Sequence, residues 1–317
     1  MFSLDTELAW GELWDQHPRR RPSRSGTVER KTIRRLLDIM DEFGVAATWA
    51  VTGHLFYREC EECAVCPIMD LKEKDKRFEE IWRTHNDMWY GADLVEMLLS
   101  SSPRHEICFH GYTHRLFSKL GEEEARLEIN EWLRLAKRKN IVPQTAIFPQ
   151  GGIGHLDLFR DAGFICYRGK DVRHPSLLWP LLGKVINRLN LGLAILTPQV
   201  YDPQVTSNGL VNIPSSLWLF RTNRKVETVL DVLNMHTLRL HPAIQGLKRA
   251  AEEKKTIHFW AHPQEFRTEK DFEKLRFIFR HFAEQADAGR LQSITMMELA
   301  RRTLLATVSR PVEQAYV

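Results

Sequence analysis

The stretch Glu106-Ile107-Cys108-Phe109-His110-Gly111-Tyr112-Thr113-His114 decides how this chain is read. Residues 105–109 read as a short apolar strand, and the chain leaves it through two histidines four positions apart. On a turn, or in the first turn of a helix, residues i and i+4 share a face, so both imidazoles can converge on one metal ion. The competing reading is a pair of unrelated histidines on a helix surface. A strand that delivers His-x-x-x-His at its C-terminal end is a candidate metal site that points to hydrolysis over redox or phosphoryl chemistry, and the motif alone does not decide between the two readings.

Two other segments repeat the design. Phe2-Ser3-Leu4-Asp5-Thr6-Glu7 is a short apolar strand entering an acidic Asp-x-Glu. In extended backbone Asp5 and Glu7 point to the same side, so one carboxylate can ligate a cation while the other stays free to accept a proton. Alone, the pair reads rather as a solvated strand end or a helix N-cap, and it is the third segment that counts against that reading. Ile257-His258-Phe259-Trp260-Ala261-His262-Pro263 is a third apolar strand with a polar residue at its end. In regular alternation His258 and His262 share a face, which makes His258 a core residue or a partner behind the site.

At 317 residues the chain can bury a large core, and its 43% hydrophobic and 27% charged content is that of a globular protein. No apolar run approaches the roughly 18 residues of a membrane span, and no basic-then-apolar leader opens the chain. A net charge of +4 is too slight to imply nucleic acid. Arg19, Arg20, Arg21 and Arg24 form a local basic cluster, read as a solvated loop or as a contact for an anionic substrate group. Of five cysteines, Cys108 and Cys166 sit in apolar strands and read as buried small hydrophobes. Cys60, Cys63 and Cys66 form C-x-x-C-x-x-C with no fourth cysteine at a suitable offset. They are open to three readings: a structural metal, a local disulfide or redox pair, or reduced, unligated thiols. Reduced thiols favour the cytoplasm.

Strands are expected at 2–4, 45–51, 105–109, 146–148, 164–167, 211–214, 256–260 and 293–296. Amphipathic helices are expected between them at 28–43, 122–139, 155–162 and 271–288. The alternation predicts an α/β fold with a parallel sheet closed into a distorted TIM-like (β/α)7-8 barrel. In such barrels chemistry gathers at the C-terminal ends of the strands, where Asp5, Glu7, His110, His114, Pro149-Gln150-Gly151 and His262 all fall. Residues 55–104 and 168–210 break the rhythm and read as insertions over the mouth of the barrel. The expected organisation is one domain over 1–302 and a C-terminal tail over 303–317.

Taken in order, these pieces resemble the polysaccharide deacetylases, a family of metal-dependent N-deacetylases (NodB homology). Asp5 and Glu7 are similar to the family's first acidic motif. Residues 45–53 resemble its second strand, His110-Gly-Tyr-Thr-His114 its histidine motif, Phe148-Pro149-Gln150-Gly151 its third motif, and Ala261-His262-Pro263 its last. Some features depart from the family pattern. The first motif is Asp-x-Glu rather than adjacent aspartates, and Gly111 stands where Ser or Thr is common. Phe148 occupies the place of the third-motif arginine, and the aspartate that braces that arginine is not evident. The combination resembles the branch acting in O-antigen or other surface-glycan synthesis.

The resemblance implies a divalent cation held by Glu7, His110 and His114. Zn²⁺ suits these ligands best, and Co²⁺, Ni²⁺ or Fe²⁺ fit the same set. Asp5 is then the general base, His262 the general acid, and an N–H of Gln150 or Gly151 the oxyanion donor. The opposite assignment of Asp5 and Glu7 stays open. Arg168 is either a substitute for the missing arginine or the partner of a surface acid. Trp89, Tyr90, Trp218 and Trp10 are candidates for a sugar-stacking platform, with at least half of them expected in the core. His54 and His155 read as structural. Three functions follow in order. The first is N-deacetylation of an amino sugar or glycan precursor. The others are hydrolysis of a non-sugar amide or cyclic imide, as an allantoinase performs, and carbohydrate binding without full catalysis.

Overall fold

In β1 (Phe2–Thr6) all five residues are buried, because the strand is flanked by two parallel neighbours and covered on both faces. The computed structural model describes residues 1–13, 26–59, 86–102, 105–172, 197–219 and 240–308. After β1 come α1 (Trp10–Leu13), α2 (Thr27–Glu42), β2 (Thr48–Val51), α3 (Ala92–Leu99) and β3 (Glu106–Phe109). The chain continues through α4 (Glu122–Arg138), β4 (Thr145–Ala146), α5 (Leu156–Asp161) and β5 (Cys166–Gly169). Beyond the second long connection lie β6 (Gln204–Val205), β7 (Val211–Pro214), β8 (Leu217–Trp218) and α6 (His241–Glu253). The last elements are β9 (Phe259–Ala261), α7 (Glu269–Asp287) and α8 (Met296–Val308).

The strands form one sheet in the order β6-β7-β5-β4-β3-β2-β1-β9-β8, parallel except for the short β6. Only Ser215 and Ser216 separate β7, which pairs with β5, from β8, which pairs with β9. One kinked stretch therefore joins both edges, and the sheet curls into the expected distorted barrel. With β7 and β8 counted as one position and β6 set aside, the described residues supply seven parallel positions of the barrel.

Strand alternation sorts the side chains into two apolar clusters. Phe2, Leu4, Trp49, Ile107, Phe109, Phe148 and Phe259 face outward and pack under the helices. Ala50, Cys108, Ile147, Cys166, Val211 and Ile213 face inward, together with Met296 and Ala300 of α8. Both cysteines are buried free thiols, as expected. Small apolar groups thus fill the middle of the barrel, with Thr48 and Glu106 on the same inward face below them and Asp5, His110 and Arg168 toward the strand C-termini.

The expected strand at 293–296 does not form. β1 already pairs with β2 on one side and β9 on the other, which leaves no slot for it. Instead the Met296 N–H donates to Thr48 Oγ1 (2.9 Å) and the Met297 N–H to Glu106 Oε2 (3.0 Å). These bonds satisfy the start of α8 and seat it as a plug in the barrel floor. Burial pushes the Glu106 carboxyl pKa up, against the hydrogen bonds it accepts. Cys60, Cys63, Cys66 and the Arg19–Arg24 cluster lie outside the described residues, as does most of the first expected insertion.

Candidate active site

Glu7 leaves the end of β1 into a tight turn, with Leu8 in the left-handed region (φ 47°) and the Trp10 N–H returning to Glu7 O at 2.9 Å. Its carboxylate then lies against Gly11, where an added Cβ would stand 2.0 Å from Glu7 Oε1. Only a residue without a side chain lets the carboxylate lie there.

His110 and His114 converge on the same carboxylate, but not by sharing a helical face. Residues 110–114 are an irregular loop in which Gly111 (φ 73°) and His114 (φ 60°) both adopt left-handed backbone. For a non-glycine residue that conformation persists only where the surroundings impose it. Here they do. The buried Glu128 of α4 accepts hydrogen bonds from the Tyr112 N–H (2.7 Å), the Thr113 N–H (2.9 Å) and the Thr113 hydroxyl. Glu128 lies on the apolar face of α4 beside Ala125, Ile129 and Trp132, and a carboxylate in that stripe was the signal that could have revealed it. Glu128→Ala should orphan two buried N–H groups, at about 1–3 kcal/mol each. It should also weaken divalent-cation binding roughly 10–100-fold through the loosened loop. Calorimetric titration with Zn²⁺ beside a thermal melt reads both effects.

The nitrogens are arranged for a cation. His110 Nδ1 is 2.8 Å from Ile147 O, so it carries the proton, and the lone pair of Nε2 faces Glu7 Oε2 at 3.4 Å. His114 Nε2 is 2.8 Å from the same oxygen, and among the described residues neither of its buried ring nitrogens meets the geometry of a hydrogen bond. Lone pairs facing a carboxylate oxygen in a buried site repel unless a cation lies between them. The donor set of Glu7, His110 and His114, with all ligand atoms within 4.8 Å of one another, fits a divalent metal of the zinc type.

Asp5 stands apart from this set. Arg168, at the end of β5 and 9% exposed, grips it with a two-pronged contact: Nη1 to Oδ1 and Nη2 to Oδ2, each 2.6 Å. Arg168 is therefore not the partner of a surface acid. Burial pushes the Asp5 carboxyl up, but Arg168, with His110 and His262, outweighs it and holds the pKa below the ordinary value. Glu7 is held well below the usual carboxylate range, with burial again opposed by the neighbouring histidines, His114 first.

Phe148 faces outward, edge-on to Phe159 (centroids 4.9 Å) and Phe117 (5.7 Å), so it does not occupy an arginine's place in the site. The inward residue of that strand is Ile147. Since Ala146 pairs with Tyr167, the next level places Arg168 beside Ile147, one strand over from the expected position.

His262 follows β9 on the opposite side of Glu7. Its Nε2 is 3.7 Å from Glu7 Oε1, and its Nδ1 is 3.3 Å from Oε1 of the buried Glu265. Burial alone would lower its pKa, but Glu7 and Glu265 raise it to about 9. Gln264 Nε2 also donates to Glu7 Oε1 at 3.2 Å. Neither Gln264 nor Glu265 was singled out from the sequence, although His-Pro-x-Glu carries the spacing of a capping box.

The remaining candidates divide. Pro149–Gly151 forms a 3-10 turn against the histidine loop, and a Cβ on Gly111 would lie 3.1 Å from Pro149 Cγ. The Gly151 N–H is spent on Phe148 O (3.0 Å), which removes it as an oxyanion donor. Gln150 is exposed and in left-handed backbone (φ 53°). Trp89, Tyr90 and Trp10 are buried in the outer core, where Trp10 meets Trp89 edge-on at 5.4 Å, and cannot offer a face to a sugar. Trp218 is half-buried and stacks on Trp260 (4.4 Å, 26°), and both rings lie 5.4 Å from His262. His54 sits between Trp10 and Tyr112, and His155 bonds Leu120 O at 2.9 Å, both structural.

Residues 14–153 match the family model described as polysaccharide deacetylase. A solved structure of a candidate polysaccharide deacetylase from Mycobacterium smegmatis superimposes with a TM-score of 0.58 at 15% identity, covering 100% of this chain and 93% of that one. Puue allantoinase gives 0.48 at 14% identity (96% and 89% covered). A candidate polysaccharide deacetylase from Pseudomonas aeruginosa PAO1 gives 0.44 at 15% (95% and 90%). No curated protein sequence matches the chain. The matched segment contains His110, His114 and the turn after β4, while the M. smegmatis likeness extends the same fold over the full length. Residues 14–153 of the chain are thus similar to the polysaccharide deacetylase family, and the likeness of fold extends beyond them.

Proposed function

We propose that this protein is a metal-dependent N-deacetylase acting on an amino sugar or a glycan precursor. The observation that carries the reading is the convergence of Glu7, His110 and His114 with their ring lone pairs turned on one carboxylate. A divalent cation bound there supplies Lewis-acid polarisation of the acyl carbonyl and acidifies water. Asp5, ionised and held by Arg168, takes the proton of the attacking water through the lone pairs that Arg168 leaves free. His262 delivers a proton to the departing amine from the other side of Glu7. The Gln150 N–H, at the turn beside the histidine loop, is the remaining candidate for the oxyanion. The half-buried Trp218–Trp260 stack beside His262 offers an aromatic face and favours a pyranose over a small cyclic imide. Arg168 on Asp5 argues against a binding-only protein, because the arginine expected of an active site is present from another strand.

The test pairs metal analysis of the purified protein with acetate release from N-acetylglucosamine oligosaccharides. Stoichiometric Zn²⁺, activity abolished by chelation and restored by Zn²⁺ are expected. Bound metal without release from any sugar amide would overturn the substrate reading. Activity should also fall with rising pH as His262 loses its proton. That limb should lie at or below about 9, because Glu7 shares its charge as a ligand while Glu265 keeps its own. In a kcat–pH profile, Glu265→Gln should move the limb to lower pH.

A further inference from the structure

Behind the Asp5–Arg168 pair lies a polar group that the reaction as described leaves unused. Ser3 and His258 are both fully buried, one level below Asp5 on β1 and just ahead of β9. His258 Nδ1 is 3.2 Å from Pro214 O, and Nε2 is 2.8 Å from Ser3 Oγ. Arg168 Nη1, the same nitrogen that holds Asp5 Oδ1, donates to Ser3 Oγ at 3.2 Å.

The direction of every proton in this chain is determined. A carbonyl only accepts, so Nδ1 carries the ring proton and Nε2 offers its lone pair. The Ser3 hydroxyl must then donate to Nε2, which turns its oxygen lone pairs toward Arg168. Burial, reinforced by the nearby Arg168 cation, keeps the ring neutral and thus able to accept. On its far face the guanidinium lies over Trp260, 4.5 Å from the ring centroid. Arg168 is therefore fixed on three sides: by Asp5, by the indole and by the hydroxyl.

We propose that His258 and Ser3 are positioning residues for the candidate base: a buried relay from Pro214 O through His258 and Ser3 to Arg168 sets the guanidinium that orients Asp5. The inference rests on the reading of Asp5 as the base. A buried serine and histidine that merely satisfied each other would need no contact with Arg168. Without the Ser3 oxygen, Nη1 loses its acceptor on that side and the guanidinium can rotate off the fork geometry.

The test uses the metal-loaded protein and acetate release from N-acetylglucosamine oligosaccharides. Ser3→Ala and His258→Phe should each lower kcat roughly tenfold or more, as loss of partners behind a site does, with KM and metal content unchanged. His258→Gln, whose amide oxygen can accept from Ser3, should recover most of that loss. The double variant Ser3→Ala/His258→Phe should be no worse than either single one, because both act through one contact. Ring nitrogen NMR of the wild type should show His258 protonated at Nδ1 only, a readout that stands should His258→Phe fold poorly. Additive losses, unchanged kcat in Ser3→Ala, or a proton on Nε2 would overturn the relay. Asp5→Asn run in parallel separates the two ideas. Its inactivity beside a fully active Ser3→Ala defeats the relay alone, whereas an active Asp5→Asn, or a wild type that releases no acetate, defeats the base assignment and the relay with it.

Discussion

Substituting His114 by alanine is expected to remove the bound cation and hydrolytic activity together while leaving the metal-free fold almost untouched. Among the described residues the His114 ring makes no hydrogen bond, so its loss orphans no partner there. Its loop is held by Glu128 through Tyr112 and Thr113, not through the imidazole. The variant should therefore melt close to the metal-free wild type. Partners behind a metal ligand are worth roughly 10–100-fold in affinity, and loss of a ligand itself should exceed that range. Metal content after dialysis, thermal melts of both metal-free forms and acetate release make the check. Full metal retention would show that the ion is held elsewhere. His110→Ala is the less clean experiment, because it also strips the buried Ile147 carbonyl of its donor.

Arg168→Met should be the most damaging single change to stability. It leaves Asp5, 4% exposed, as a buried carboxylate without its cation. Breaking a buried pair in this way costs about 3–5 kcal/mol. Arg168→Lys should recover only part of it, since an ammonium cannot engage both carboxylate oxygens in a fork. The pH dependence identifies the cause. In the wild type the folded pKa of Asp5 is depressed, so its contribution is present above the unfolded value of about 3.9 and is lost as pH falls through the folded one. Without Arg168 burial dominates and the folded pKa rises above the unfolded value. The deficit of the variant should then be greatest at neutral pH and shrink on acidification, as the carboxyl takes up a proton. Urea unfolding at pH 7 and at about pH 5 measures this directly. A deficit independent of pH would assign the loss to packing on Trp260 instead. Activity should fall on the order of 100-fold or more, the range associated with a positioned general base.

The strands that carry Asp5, Glu7, His110, Arg168 and His262 were legible from apolar runs ending in polar residues, and helices α2, α4 and α7 from their periodic faces. α8 was not, because 293–296 looks like any other apolar run. What excludes it from the sheet is the pairing of β1 with β9, two segments more than 250 residues apart. The arginine went astray for a related reason. Sequence order draws attention to Phe148 beside Pro149, whereas strand alternation turns Phe148 outward and Ile147 inward.

The histidine pair, the acidic pair and the terminal histidine are properties of single strand ends, so the chain's own local pattern was sufficient to name them. Which carboxylate faces the histidines and which faces the guanidinium was left open by that pattern and is decided by the barrel. Curling the sheet sets β1 between β2 and β9 and brings β5 across the lumen, so that Arg168 reaches Asp5 over 163 residues and His258 reaches Ser3 over 255. Those contacts depend on inter-strand register, and register is a collective property of packed strands that no single segment encodes.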